Sequence, residues 1–285
     1  MPRPQCGLAM TCFYVEDVMG KVMERRYICE KTGIVERTRF VVGENTQIRS
    51  GWKKAKTSAD KREENARSAI RDLARLLNCN AGPEDWFVML DFSPKAWDRF
   101  FSGLDEDSVL REAQRQGSLF LRRLKRKAQG AVKSVLTASD RDPETGEPVR
   151  VHLHLWLSGV TEEEIYSCWS HGECAHAENL WKHQDDYTPL AVYMLSQVRS
   201  IENMKKYIPS RNLDKPKIEE RVVVGDPGEE IKVQPGAKVL DRMTYRDGSV
   251  VQYVRYKRRP AVKKRGGHKL QDTGQAEGGA GHEFS

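Results

Sequence analysis

Long apolar runs are scarce in this chain, and their absence sets the first limits on what it does. No stretch of about 18 uncharged apolar residues occurs, so the sequence predicts no membrane-spanning helix. The opening residues, MPRPQCGLAM, lack the basic-then-apolar order of a signal peptide, and we expect a cytoplasmic protein with no membrane partner. Cysteine is also sparse. The six cysteines are scattered along the chain, which is typical of reduced thiols rather than a disulfide framework.

Positive charge, in contrast, is in excess. The formal net charge of +7 favours a polyanionic partner. Basic residues cluster in RRLKRK (122–127) and in RYKRRPAVKKRGGHK (255–269). Such clusters bind phosphates without reading base sequence, although a solvated face and a basic tail would have the same composition. We expect DNA phosphate contacts at Arg122, Arg123, Lys125 and Arg126.

Hydrophobic periodicity predicts an α+β protein with an antiparallel sheet and flanking helices. Three- and four-residue apolar spacing indicates a helix over 61–78, and similar patterns indicate helices over 108–128, from Thr161 onward, and over 188–200. The strands are expected at 86–94 and in a hairpin of 132–139 with 149–157.

The same patterns divide the chain into four segments. Residues 1–80 form a strand-helix region packing on a core, and residues 81–215 form that core. Residues 216–260 form a β-rich C-terminal segment, with a hairpin turn at Asp247-Gly248. Residues 261–285 are too poor in apolar side chains to fold and form a basic, Gly-rich, disordered tail.

The sharpest motif is His152-Leu153-His154 in the second strand of the expected hairpin. Strand alternation places both imidazoles on one face, about 7 Å apart along the strand. Two imidazoles so placed can converge on one divalent ion, or they can be a pair of exposed strand histidines. We expect both to face away from the core, so that replacing either leaves the fold intact.

About forty residues downstream, LAVYMLSQVR places Tyr193 in a helix. A phenol can attack the phosphorus of a DNA strand when a metal ion neutralises the phosphate, although a helix tyrosine is also a common packing residue. Tyr187 and Tyr207 compete for this role. Tyr187 precedes Pro189 and Tyr207 lies in an irregular segment, so Tyr193 has the most rigid position.

Taken in order, these motifs resemble a known family. NARSAIRDLARLLNCN, WFVMLDFSP, VRVHLHLWLSG, CWSHG, LAVYMLSQ and YIPSRNLDKP follow one another as in the HUH superfamily of rolling-circle replication endonucleases. The chain is most similar to the initiators of small single-stranded DNA phages and related plasmids. The resemblance spans roughly residues 12–257.

The resemblance implies an HUH endonuclease core and site-specific cleavage and ligation of one DNA strand through a 5′-phosphotyrosine. It implies that His152 and His154 bind a divalent metal, Mg²⁺ or Mn²⁺, and that Tyr193 is the nucleophile. It further implies single-stranded or origin DNA as partner, with a host replication helicase or polymerase, in the host cytoplasm.

Two departures from the family pattern concern the site itself. Relatives commonly carry a lysine three residues after the tyrosine, where this chain has Ser196. Gln197 is the candidate to assist the phenol instead, with Arg199, Lys205 and Lys206 as further substitutes. We therefore expect slow cleavage with an alkaline optimum.

The second departure concerns the third metal ligand. Relatives often carry a glutamate on the strand before the histidine motif, where this chain reads LTASD. The nearest carboxylate is Asp140, which we expect to complete the site, with Glu144 and Glu147 in the following turn. Asp91 is either a solvent-facing carboxylate at the core edge or a neighbour of the metal, and we favour the first.

Two further sets of residues have weaker signals. Lys205, Lys206 and Arg211 in KKYIPSRN are expected to contact phosphates or to cap the core. CWSHGECAH has zinc-type ligands at a spacing too compact for the usual zinc layout, and the related proteins have a metal-free turn there. If this segment bound zinc, the ligands would come from Cys168, His171, Cys174 and His176.

Two alternative functions remain open. A conjugative relaxase or single-strand transposase uses the same chemistry, but relaxases usually carry a third clustered histidine, and the sequence contains no HxxxH or HHH. A non-catalytic DNA-binding descendant is suggested by Ser196 and the missing glutamate. A nicking assay with and without manganese separates these alternatives.

Overall fold

The α+β prediction is confirmed by a computed structural model of the chain. It describes residues 21–42, 59–172, 174–180, 186–247 and 249–259. Within these ranges, helices alternate with strands of two five-stranded antiparallel sheets. No helix in the described ranges is long and apolar enough to cross a membrane.

The helices are α1 (Ala59–Asn80), α2 (Pro94–Phe100), α3 (Glu106–Lys127), α4 (Glu162–Cys168) and α5 (Thr188–Ser196). The strands are β1 (Lys21–Cys29), β2 (Ile34–Val42), β3 (Trp86–Asp91), β4 (Lys133–Arg141), β5 (Pro148–Ser158), β6 (Cys174–Asn179), β7 (Ile208–Pro209), β8 (Lys217–Val222), β9 (Lys238–Asp247) and β10 (Ser249–Lys257).

The central sheet has the strand order β6-β3-β5-β4-β7 and is covered on both faces. On one face, Phe120 and Leu124 of α3 pack on inward residues such as Leu153. A Cβ on Gly117 would lie 2.8 Å from a methyl of Leu136, so glycine lets α3 approach the sheet closely. On the other face, α1 and α5 pack over Trp156. β5 lies between these two layers, with Leu153 on the side of α3 and His154 and Trp156 on the side of α5.

The terminal sheet has the order β8-β1-β2-β10-β9 and joins the two ends of the chain. The β1–β2 hairpin contributes its middle strands, and β2 pairs with β10 from Ile34↔Lys257 to Arg39↔Gln252. Ile28, Val35, Val254 and neighbouring residues form a small core with Ile231 on one face. The N-terminal and C-terminal segments that the sequence treats as separate units therefore share one sheet.

Several local predictions are confirmed. β4 and β5 pair as a hairpin, and Thr161 caps α4 through a reciprocal capping box with Glu164. Pro189 lies in the first turn of α5. The helix ends at Ser196 instead of near Ser200. The turn glycine Gly248 and the tail from 261 onward lie outside the described residues.

Candidate active site

The two motif histidines lie in the middle of the central sheet, on the face covered by α5. His154 pairs with Met89 on β3 and Thr137 on β4, while His152 pairs with Asp91 and Ser139. His154 is 0% exposed. The expectation that both histidines face away from the core is therefore wrong for His154, because helices cover both faces of this sheet.

His152 is fixed by its own strand. Its Nδ1 lies 3.0 Å from the carbonyl oxygen of Arg150. Because a carbonyl only accepts, Nδ1 must carry a hydrogen, which directs the Nε2 atom on the other side of the ring towards His154. Orienting one ring nitrogen through the other is how proteins prepare a histidine to bind a metal.

The two rings meet through their Nε2 atoms, which lie 2.9 Å apart. The side-chain oxygen of Gln197 lies 3.4 Å from the Nε2 of His152. Gln197 is 2% exposed, follows the last residue of α5, and accepts a 2.6 Å hydrogen bond from Ser139 Oγ at its carbonyl. The amide oxygen of Gln197 therefore lies beside the histidines just beyond the end of the helix, and within the described ranges the structure shows no contact between it and the phenol.

The buried ring of His154 has an incomplete set of partners. Burial, reinforced by the neighbouring His152, lowers the pKa of His154 to about 3, so this imidazole is neutral at pH 7. Within the described part of the chain, its Nδ1 and the side-chain nitrogen of Gln197 are buried without a hydrogen-bond partner. Unpartnered buried polar atoms are uncommon, and each calls for a structural or functional explanation.

Tyr193 lies directly over this pair. Its ring contacts His154 edge-on, with centroids 5.4 Å apart, and Phe87 edge-on at 5.7 Å. Phe87 in turn stacks on His154 at 5.6 Å. The side chain is 42% exposed, so its hydroxyl is accessible while its ring is held by aromatic neighbours.

The competing tyrosines occupy different environments. Tyr187 is 1% exposed and belongs to the core between α1, α5 and the sheet. Tyr207 packs against the same core, and burial, with a smaller effect of Asp72, raises its phenol pKa. Of the three, only Tyr193 combines exposure with contact to the histidines.

Asp140 does not join the histidines, contrary to the sequence expectation. A bulge follows Ser139, and the Asp140 carboxylate accepts from Arg199 Nε at 3.0 and 3.1 Å. Arg199 also forms an ion pair with Asp107. Its guanidinium is therefore already paired and does not replace the missing lysine beside the phosphate. No three His, Cys, Asp or Glu side chains in the described ranges lie together as a metal site.

The donor set nevertheless fits a divalent ion with two imidazole ligands. Nitrogens 2.9 Å apart can bind one ion at nearly a right angle with bonds of about 2.1 Å. With the hydrogen of His152 on Nδ1, its Nε2 has a lone pair for the ion, and the neutral ring of His154 can supply a second lone pair when its own hydrogen lies on Nδ1. The oxygen of Gln197 is the nearest further ligand atom, and an amide oxygen suits Mg²⁺ or Mn²⁺.

The basic residues expected to contact DNA are spread over several surfaces. Arg122, Lys125 and Arg211 line one groove of about 610 Å³ between α3 and the β7 edge, on the face opposite α5. Arg123 donates to the carbonyl of Cys168, whereas Arg126 is exposed. Lys205 and Lys206 lie in the loop after α5. Lys205 is exposed, and burial lowers the pKa of Lys206. None of these residues is brought to the Tyr193 site.

The CWSHG segment supports the sheet edge in the described residues. The ring of His171 packs on Trp169 and Phe100, and Trp169 donates to the carbonyl of Asp91 at 3.0 Å. A Cβ on Gly172 would lie 2.2 Å from that same carbonyl, so only glycine fits there. His176 binds Glu178, and no zinc cluster forms among the described side chains. Asp91 itself lies across from His152, half-buried on the site face.

Phe87 and Ser139 are site residues that sequence reasoning missed. Strand alternation in WFVMLD places Phe87 on the face of Met89 and Asp91, so a signal was present. The contact of Ser139 with Gln197 joins residues 58 positions apart and leaves no local pattern.

Comparison with known proteins gives no match: no family model, curated protein or solved structure aligns with the chain at a significant level. The resemblance to HUH endonucleases therefore rests on the ordered motifs.

Proposed function

We propose that this protein cleaves and rejoins one strand of DNA through Tyr193, as the initiator of rolling-circle replication in a small phage or plasmid. One observation carries the proposal. The exposed phenol of Tyr193 lies in contact with a buried neutral histidine whose Nε2 is 2.9 Å from that of a second histidine. A nucleophile and a pair of metal-type ligands thus meet at one accessible point.

His152 and His154 would hold a divalent ion, Mg²⁺ or Mn²⁺, with the side-chain oxygen of Gln197 as a further ligand. Such an ion, when bound, neutralises charge on the phosphate and stabilises the leaving oxygen. The remaining site residues orient these groups. Arg150 fixes the tautomer of His152, and Ser139 fixes the backbone of Gln197.

Tyr193 performs the covalent step. Its phenolic oxygen bonds to phosphorus as the bond from phosphorus to the 3′ oxygen breaks. The phenol loses its proton to solvent and the 3′ oxygen takes one up, so the products are a 5′-phosphotyrosine and a free 3′ hydroxyl. The reverse exchange rejoins the strand without an external energy source. Edge contacts with Phe87 and His154 hold the ring for this attack.

The test is covalent attachment of DNA to the protein. Full-length protein is incubated with Mn²⁺ and a pool of labelled single-stranded oligonucleotides, then resolved on a denaturing gel. We expect a labelled adduct that Tyr193→Phe abolishes. The control is Tyr166→Phe on α4, because Tyr166 is 46% exposed but lies away from the histidines.

The outcomes separate the alternatives. Loss of the adduct in chelator and in His152→Ala supports the metal-dependent reaction. An adduct that persists in Tyr193→Phe and maps to another tyrosine would refute this nucleophile. Binding of single-stranded DNA with no adduct under any divalent metal would instead identify a non-catalytic DNA-binding descendant.

A further inference from the structure

A second cleft lies between the terminal sheet and helix α1, away from the histidines. It has a volume of about 780 Å³. Its floor consists of alternate residues of β1, β2, β9 and β10, and its wall is the exposed side of α1. The opposite face of this sheet is covered by the small core around Ile231. The terminal sheet thus uses one face for stability and leaves the other open at the cleft.

Aromatic side chains line the floor of the cleft. Tyr27, Phe40 and Tyr253 lie on three adjacent strands, and all are half-buried. The guanidinium of Arg75 lies 3.7 Å from the ring centroid of Tyr27, and Arg25 lies 5.6 Å from that of Phe40. Rings presented with arginines on one sheet surface are what sequence-tolerant binding of unpaired bases requires.

The charges of the cleft are balanced overall. Five arginines and three carboxylates line it, and two of the arginines pair with carboxylates outside the lining, Arg25 with Glu220 and Arg255 with Asp186. The arginines lining it are Arg25, Arg67, Arg71, Arg75 and Arg255, and the carboxylates are Glu36, Asp72 and Asp241.

The arginines divide into anchored and projecting groups. Arg75 is held by Glu36 at 2.7 Å, and Arg255 by Asp186 at 3.1 Å. Arg71 is exposed on α1, one turn from Arg75. Its guanidinium is therefore positioned to meet a phosphate at the mouth of the cleft.

The cleft is continuous with the helix that carries the proposed nucleophile. Thr188 lines the cleft, accepts from Arg255 at 2.7 Å and is the first residue of α5. Tyr193 lies five residues further along that helix, about 7.5 Å by helix rise. At about 100° per residue, Tyr193 lies about 140° around the helix axis from Thr188, so a strand that contacts both would pass around the start of α5.

We propose that this cleft binds the single-stranded DNA that flanks the cleaved phosphate, stacking bases on Phe40 and Tyr253 beside the Arg75-covered ring of Tyr27 and holding phosphates at Arg71. The choice of this occupant rests on the proposed function. Paired bases do not expose their faces, so duplex DNA would gain only the phosphate contacts.

Binding is measured without cleavage. Fluorescence anisotropy of a labelled 20-residue oligo(dT) is followed with full-length protein in chelator at low salt. We expect Arg71→Glu to raise the dissociation constant about tenfold and Phe40→Ala to raise it by a similar factor. Lys95→Glu is the matched control, because Lys95 is an exposed cation on α2 across the central sheet, and it should change the constant less than about twofold.

A second measurement does not depend on variants that fold poorly. Wild-type protein is photocrosslinked to an oligonucleotide containing 5-iododeoxyuridine, and the crosslinked peptides are identified by mass spectrometry. We expect crosslinks at Tyr27, Phe40 or Tyr253. Crosslinks confined to the groove of Arg122 and Arg211, or unchanged affinity in Arg71→Glu, would overturn the proposal, as would equal competition by duplex DNA.

These results are separable from those on the proposed function. Crosslinks in the cleft with no tyrosine adduct would retain the binding site and reject the cleavage reaction. An adduct at Tyr193 without crosslinks in the cleft would retain the cleavage reaction and reject the cleft as a binding site.

Discussion

Each of the two sheets buries a polar side chain, and the two differ in how that side chain is satisfied. In the terminal sheet, Glu24 is 0% exposed and charged. Its carboxylate accepts from Arg37 at 2.7 and 2.9 Å and from Arg221 at 2.9 Å, and Arg39 lies 3.6 Å away. Burial alone would raise its pKa, but these arginines together hold the pKa below the usual value.

His154 is the counterpart in the central sheet. It is equally buried, but it is neutral, and its Nδ1 has no partner within the described residues. The carboxylate of Glu24 has all its partners in the protein and needs no ligand. The His154 ring, with its Nε2 directed at a second imidazole, has the arrangement expected of a residue that binds something else. Burial alone therefore does not separate a structural polar group from a functional one, whereas its partners do.

The largest effect on stability should come from replacing Glu24, whose carboxylate has all its partners within the protein. Glu24→Ala leaves Arg37 and Arg39 buried without their counter-charge, which should cost about 3 to 5 kcal/mol in the free energy of unfolding. Urea unfolding measures this loss. The matched control is Glu219→Ala on neighbouring β8, whose half-exposed pair with Arg26 should leave the midpoint nearly unchanged. Equal midpoints for both variants would mean that Glu24 does not hold the sheet together.

A smaller loss is expected in the central sheet. His154→Ala opens a cavity beneath α5 and should cost about 2 to 3 kcal/mol, while His152→Ala, at the edge of the cluster, should cost less than about 1 kcal/mol. Both should abolish the DNA adduct. The control His176→Ala on β6 removes an exposed imidazole. A destabilised His152→Ala with an unaffected His154→Ala would contradict the observed burial.

Much of the central sheet is readable from local sequence. Alternation in VRVHLHLWL and the short apolar run WFVMLD give the strands, and Pro189 gives the start of α5. What the sequence could not predict is the cover on the second face of the sheet. β5 is apolar on one side and carries His152, His154 and Trp156 on the other. Such alternation is typical of a strand with one face exposed to solvent.

The rest depends on contacts between distant residues. Asp140 is expected as a ligand because it is the carboxylate nearest to the histidine motif in the preceding strand, but its carboxylate pairs with Arg199, which is 59 positions away in the sequence. Likewise, β1 and β2 form a hairpin between neighbouring strands, and nothing within their sequences indicates that β10 pairs with β2. Side-chain partners of this kind arise from tertiary structure and leave no periodic signal in the sequence.

The comparison also predicts a pH effect. Because the pKa of His154 is about 3 in the folded chain and about 6.5 when unfolded, the unfolded chain binds more protons between these values. The contribution of the neutral His154 to the free energy of unfolding is fully present above about pH 6.5 and decreases as the pH falls below that value. In chelator, the loss between pH 7 and pH 5 should be about 2 kcal/mol.

Urea unfolding at both pH values, with His154→Gln for comparison, checks this effect. The variant should lose about 2 kcal/mol less than the wild type over that interval. His176→Gln, which replaces a half-exposed imidazole on β6, is measured alongside. Identical pH dependence in all three proteins would show that His154 is not held neutral by burial.

The smallest effect concerns the position where relatives carry a lysine. Ser196 is exposed, three residues after Tyr193 and on the same side of the helix, and its hydroxyl donates to the carbonyl of Tyr193 at 3.0 Å. Ser196→Lys should leave stability within about 0.5 kcal/mol and add a cation beside the phenol. The added charge favours the phenolate and the phosphate, so adduct formation should accelerate severalfold and its optimum should move to lower pH. Single-turnover rates from pH 7 to pH 10 measure both changes.

Ser200→Lys, also exposed but beyond the end of α5, supplies the same charge without the helical alignment and should leave the rate unchanged. A similar acceleration in both variants would assign the effect to general attraction for DNA instead of a group acting at Tyr193.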